Sequence, residues 1–193
     1  MAPYRQWLDA LPPPQGMLKD LQKSGRESLL KHGLPTRKME AWRLTNLERL
    51  ANLMTLQVCK EQKKTYDLKS QRWPEKPGDG FRLVLGSHGI LEEPIDFPQG
   101  LRQLTDKEIQ RNLDNSLKNL SYKAEWPLSI NSAANKKIFG LSVSGRNLPK
   151  LELVIPAEKN VLMPSRIIIQ IEEESQLDLL QVLLGSGHSA HSH

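Results

Sequence analysis

The chain has 193 residues, 38% hydrophobic and 25% charged, which is enough for one good core or two small ones and too apolar for a disordered polymer. No apolar run approaches the roughly 20 residues of a membrane helix, and residues 1–10 lack an apolar h-region and carry Asp9, which argues against a signal peptide. The net charge of +5 is uneven: residues 1–80 hold 15 Lys+Arg against 9 Asp+Glu, and residues 81–193 hold 12 against 13.

Trp7 and Leu8 open a short helical stretch that stops at Pro12-Pro13-Pro14, a stiff turn. Met17, Leu18, Leu21, Leu29 and Leu30 mark a broad apolar stripe, interrupted at Ser24-Gly25. Gly33 stands where a helix C-cap glycine belongs, with Pro35 behind it, and Thr36 is placed to cap the next segment. From there Met39, Leu47, Leu50 and Met54 fall on one face of an expected amphipathic helix. Residues 60–80 are rich in Lys, Pro and Gly and read as a loop or hinge.

Phe81 to Leu85 reads as a strand, turned by Gly86-Ser87-His88-Gly89 into a hairpin with Ile90-Leu91. Thr105 and Glu108 form a capping box, followed at helical spacing by Ile109, Leu113, Leu117 and Leu120. After about residue 137 the period changes. Lys137 to Val143 alternates, Leu151 to Ile155 begins to alternate, Arg166 to Ile171 is continuously β-branched, and Leu177 to Leu184 follows closely. Short strands broken by Pro156, Pro164 and Gly185 suggest a sandwich or a stacked β-solenoid. A solenoid stopping at His193 would leave an uncapped edge, so the sequence is expected to be the front of a longer protein. The fold class is therefore α+β, in three stretches: a helical region with its linker over 1–80, a mixed hairpin and helix over 81–136, and a β core from 137 to 193.

The chemistry-bearing motifs are sparse. There is no phosphate-binding loop, dinucleotide fingerprint or nucleophile elbow, and one cysteine, Cys59, allows neither an internal disulfide nor a C-x-x-C pair. A lone thiol fits a reducing, cytoplasmic compartment. Cys59 precedes Lys60-Glu61-Gln62-Lys63-Lys64, which would lower a thiol pKa, but a small packed apolar residue explains it equally. His191 and His193 share a strand face beside His188, a potential metal pair or simply a frayed or added tail, while His32 and His88 read as surface turn residues. Glu172-Glu173-Glu174 reads as a solvated turn. The basic front admits a nucleic-acid-binding module as an alternative function, but 5% aromatics give no stacking platform and no helix carries a dense Lys/Arg stripe.

The most distinctive segment is Gly33-Leu34-Pro35-Thr36-Arg37-Lys38-Met39-Glu40-Ala41-Trp42-Arg43-Leu44-Thr45-Asn46-Leu47. It resembles the G-L-P-T-R-K-x-E-x-W-[KR]-Y-T-x-L signature near the start of the SufD family, components of the SUF iron–sulfur cluster assembly system; Leu44 stands where the signature has Tyr. In physical terms, Gly33 and Pro35 end one helix and aim the next, Arg37, Lys38 and Glu40 are placed to tie helix ends to neighbours, and Trp42 to pin the segment to a core. The resemblance implies a helical N-terminal region followed by the first turns of a right-handed parallel β-helix. It also implies partnership with SufB and the ATPase SufC in building clusters, with a part for this subunit in iron acquisition. In that family the SufC-docking surface and the groups implicated in cluster work lie later in the chain, so no catalytic or metal-binding residue and no cofactor is assigned to this chain; the assembled complex handles the clusters.

Overall fold

The computed structural model describes residues 2–58, 78–91, 95–119, 126–156, 160–185 and 190–192. They form a mixed α+β structure. Helix α1 (Ala2–Asp9) buries Trp7 and Leu8 and ends before the three prolines. A 3-10 turn at Gly16–Leu18 leads into α2 (Lys19–His32). Helix α2 runs through Ser24-Gly25, where the apolar stripe is interrupted, and Gly25 is buried where another helix crosses. Met17 and Leu30 also leave the predicted core stripe, at 38% and 61% exposure.

The amphipathic helix expected from Thr36 onward is not continuous. A 3-10 turn (Glu40–Trp42), helix α3 (Leu47–Asn52) and a second 3-10 turn (Leu53–Thr55) replace it. Thr36 caps no helix; its carbonyl instead accepts the Met39 N–H at 3.0 Å, so the chain is already in a turn when the predicted helix would begin. Met39 is 40% exposed, and the side chain of Leu50 lies outside the described residues.

Strand β1 (Gln57–Val58) follows, and most of the 60–80 loop lies outside the described residues. Strands β2 (Phe81–Gly86) and β3 (Gly89–Ile90) form the predicted hairpin, with Leu85 opposite Ile90. After β4 (Leu101–Gln103), helix α4 (Asp106–Asn119) starts at the predicted capping box. The Thr105 N–H donates to Glu108 Oε2 at 2.8 Å, and Ile109 and Leu113 are buried behind it. Helix α5 (Trp126–Ala134), not foreseen from the sequence, precedes β5 (Ile138–Val143), β6 (Leu151–Pro156), β7 (Val161–Pro164), β8 (Arg166–Ile171), β9 (Leu179–Leu184) and β10 (Ala190–Ser192).

The strands pair in three ladders, ordered β1-β7-β10, β3-β2-β6-β9 and β4-β5-β8. Apart from the antiparallel β2–β3 and β4–β5 pairs, the neighbours are parallel. One parallel pair in each ladder is offset by 28 residues: Ile138 lies beside Arg166, Leu151 beside Leu179 and Leu162 beside Ala190; the other two parallel pairs, Phe81 beside Leu151 and Gln57 beside Val161, join residues far more distant in sequence. The middle strands β5 and β6 are buried on both faces rather than alternating, since each has a neighbour on either edge and cover above and below. Leu83, Leu141, Leu151 and Leu153 fill the β core, while Glu152 on the opposite face of β6 is buried with Arg82, its ion-pair partner. The outermost β8 and β9 leave Ile171, Leu179, Leu180 and Leu183 between 42% and 53% exposed.

The helical front has its own core of Trp7, Leu8, Leu29, Leu56 and residues of α5, into which β7 inserts Leu162. Contacts cross the sequence-based divisions: β1 pairs with β7, and Gln22 of α2 donates to the Asn135 carbonyl at 2.7 Å. Among the described residues no helix is long and apolar enough to cross a membrane.

Candidate functional site

The Gly33–Trp42 corner is built by backbone geometry first. Gly33 adopts φ 65°, ψ −157°, a region essentially restricted to glycine, and its N–H closes α2 on the Leu29 carbonyl at 3.0 Å. A Cβ there would meet nothing within 4 Å, so conformation and not space demands the glycine. Pro35 is buried, lacks an N–H, and sends the chain into the turn closed by Met39 on Thr36. Trp42 donates its N–H to the Met39 carbonyl at 2.9 Å and sets its half-buried indole edge-on to Trp126, with centroids 6.5 Å apart at 90°. That arrangement suits the ring quadrupoles.

The corner therefore divides by role. Gly33, Leu34, Pro35 and Trp42 face the helical core, whereas Thr36, Arg37, Lys38 and Glu40 are exposed. Of Arg37, Lys38 and Glu40, expected to tie helix ends to neighbours, Glu40 pairs locally with Arg43 at 3.7 Å, within one turn and 64–85% exposed, a geometry that contributes little to stability.

Beside the corner, Tyr4 stacks on Trp7 with centroids 6.4 Å apart and donates its hydroxyl to the Leu29 carbonyl at 2.8 Å. Burial pushes the Tyr4 phenol above its usual pKa, with the Trp126 indole acting in the opposite sense. Between α1, the end of α2 and α3 runs a groove of about 710 Å³, lined by Tyr4, Arg5, Leu30, Lys31, His32, Gly33, Leu34, Ala51, Met54 and Thr55.

Sequence reasoning missed the polar junction that mounts the helical front on the strands. Asn131, fully buried, donates Nδ2 to the Ser165 carbonyl at 2.7 Å and accepts at Oδ1 from Arg166 Nε at 3.1 Å. Arg166 also donates to Ser132 Oγ at 3.1 Å. Gly25 of α2 lies so close to α5 that a Cβ would sit 2.6 Å from the Ala133 nitrogen. The only sequence signal was the small-residue composition of Ser129 to Ala134, which carries no helical period of its own.

The remaining candidates stay dispersed. Cys59, His188 and His193 lie outside the described residues, and of His191 only the backbone, in β10, is described. His32 and His88 are exposed, His32 beside the Ser28 carbonyl at 3.0 Å and His88 beside Ser87 Oγ at 2.8 Å. Glu172, Glu173 and Glu174 form an exposed turn, with Glu174 paired to Arg146 at 3.2 Å. Among the described residues no three His, Cys, Asp or Glu side chains gather to hold a metal ion. Compared with known proteins, the chain matches no family model, and no curated protein matches it.

Proposed function

We propose that this chain is a non-catalytic scaffold component of the cytoplasmic SUF iron–sulfur cluster assembly complex, acting with SufB and the ATPase SufC. Its parallel ladders are, in this reading, the first turns of a right-handed parallel β-helix. The observation that carries the proposal is the conjunction of two features: the Gly33–Trp42 corner, and behind it three ladders that each contain one parallel pair offset by 28 residues. A chain that returns to the same three faces builds a stack in which each layer bonds to the next. Such a stack presents side chains along extended faces, the property a scaffold needs. The iron and sulfide of the cluster are cargo of the assembled complex, and no residue of this chain is assigned to their chemistry.

Cluster assembly assayed anaerobically with SufB, SufC, iron and a sulfide source tests the proposal. The expected result is more cluster when this protein is added, with no protein-bound iron when it is incubated alone. Assembly that is indifferent to the protein would refute the scaffold role. So would a cluster on the isolated chain that survives desalting and disappears in Cys59→Ser.

A further inference from the structure

We propose that the groove between α1, the end of α2 and α3 seats an acidic amphipathic helix from a protein partner. The floor and the rim differ in chemistry. Leu34 and Met54 lie half-buried in the floor, and Leu30 stands beside them at 61% exposure. Arg5, Lys31 and His32 line the same groove and are exposed. No Asp or Glu is among the described lining residues; Glu27 and Glu48, exposed on α2 and α3, do not line it.

The local backbone does not reverse this sign. The C-terminal end of a helix carries partial negative charge on its free carbonyls. Here the Leu29 carbonyl accepts both the Gly33 N–H and the Tyr4 hydroxyl, and Lys31 and His32 occupy the last turn. An apolar trough rimmed by cations is complementary to a helix with leucines on one face and carboxylates flanking them. In sequence, residues 1–80 are basic as a whole, with 15 Lys+Arg against 9 Asp+Glu, which favours encounter with an acidic partner. The inference goes beyond the assignment to cluster assembly and stands if that assignment falls.

Two fluorescein-labelled synthetic helices test it by fluorescence anisotropy against the whole protein. Both carry Leu at positions i, i+3, i+4 and i+7; one fills the remaining positions with Glu, the other with Lys. The Glu peptide is expected to bind at least about tenfold more tightly than the Lys peptide, and to weaken as salt is raised. The Arg5→Glu, Lys31→Glu double variant is expected to lose about tenfold or more for the Glu peptide with an unchanged melting temperature, both side chains being exposed. The Leu30→Asp variant is expected to lose binding, and Leu30→Met to keep it. Equal binding of the two peptides, no binding of either, or a double variant that binds like the parent would overturn the proposal. Displacement of the Glu peptide by vesicles of anionic phospholipid would overturn it in favour of a membrane surface.

Discussion

At the level of single residues, two glycines are required for different reasons, and substitution separates them. Gly33→Ala meets no atom but forces an L side chain into a glycine-only conformation, at a cost of about 1–3 kcal/mol. Gly25→Ala places a Cβ 2.6 Å from backbone of α5, so the helices must separate, and a loss of roughly 1–3 kcal/mol is expected from overpacking. Urea unfolding of both variants checks this; a Gly33→Ala protein as stable as the parent would show that the corner relaxes. Trp42→Ala is expected to cost about 2 kcal/mol, below the roughly 3–5 of a fully buried tryptophan, because the indole is half-buried and holds on mainly through its edge contact with Trp126. A loss under about 0.5 kcal/mol would mean that the contact contributes little. Gly33 was legible in the sequence because a capping glycine leaves a local signature. Gly25 was not, since its partner Ala133 lies more than a hundred residues away and only the folded helix crossing brings them together.

Among the elements, α4 shows how local chemistry survives into the fold. Arg102 and Thr105 both hydrogen-bond the Glu108 carboxylate and lower its pKa from the usual 4.5 to about 2, the Arg102 side chain contributing most. A carboxylate with a lowered folded pKa binds its proton first in the unfolded chain. Its stabilisation is therefore complete above pH 4.5 and is lost as pH falls from there through about 2. Urea midpoints of the parent and Glu108→Gln proteins are expected to differ most near neutral pH and to converge toward pH 2; a gap that stays constant with pH would contradict the cap's ionic component. The capping box, the hairpin and the α2 terminus were readable because their determinants lie within a few residues of one another. Two helical stretches departed from the apolar period for different reasons. The apolar positions Met39, Leu47, Leu50 and Met54 satisfied a helical period, yet the turn closed by Thr36 and Met39 divides that stretch into short pieces. Helix α5 escaped notice because burial on nearly every side replaces an amphipathic stripe with small and polar residues.

In the molecule as a whole, the parallel pairing offset by 28 residues is the feature with the widest consequences. Ser142 lies beside Gln170 in the parallel β5–β8 pair, while Ile169, one residue earlier, belongs with the core on the opposite face. In a Cys59→Ser background, Ser142→Cys with Gln170→Cys is expected to form a disulfide under mild oxidation, and Ser142→Cys with Ile169→Cys is not. The reverse outcome would shift the register by one residue and turn the core side chains outward. The runs of β2, β5, β6, β8 and β9 were legible from alternation and apolar composition, while the short β1, β4, β7 and β10 were not. The parallel pairing was not legible, because long-range partners such as Leu151 and Leu179 are related by the stack and not by any turn between them. The Gly33–Trp42 corner was readable as a segment, but the division between its buried and exposed members emerged only from packing against Trp126 and α1. The proposed role of the helical front and its parallel ladders is that of a scaffold within the SUF assembly. Anaerobic co-expression of the tagged protein with SufB and SufC, followed by affinity purification and size-exclusion chromatography, tests it most directly. All three proteins are expected to co-elute as one complex in fixed proportion; SufB and SufC eluting together without the tagged protein would contradict the proposed role.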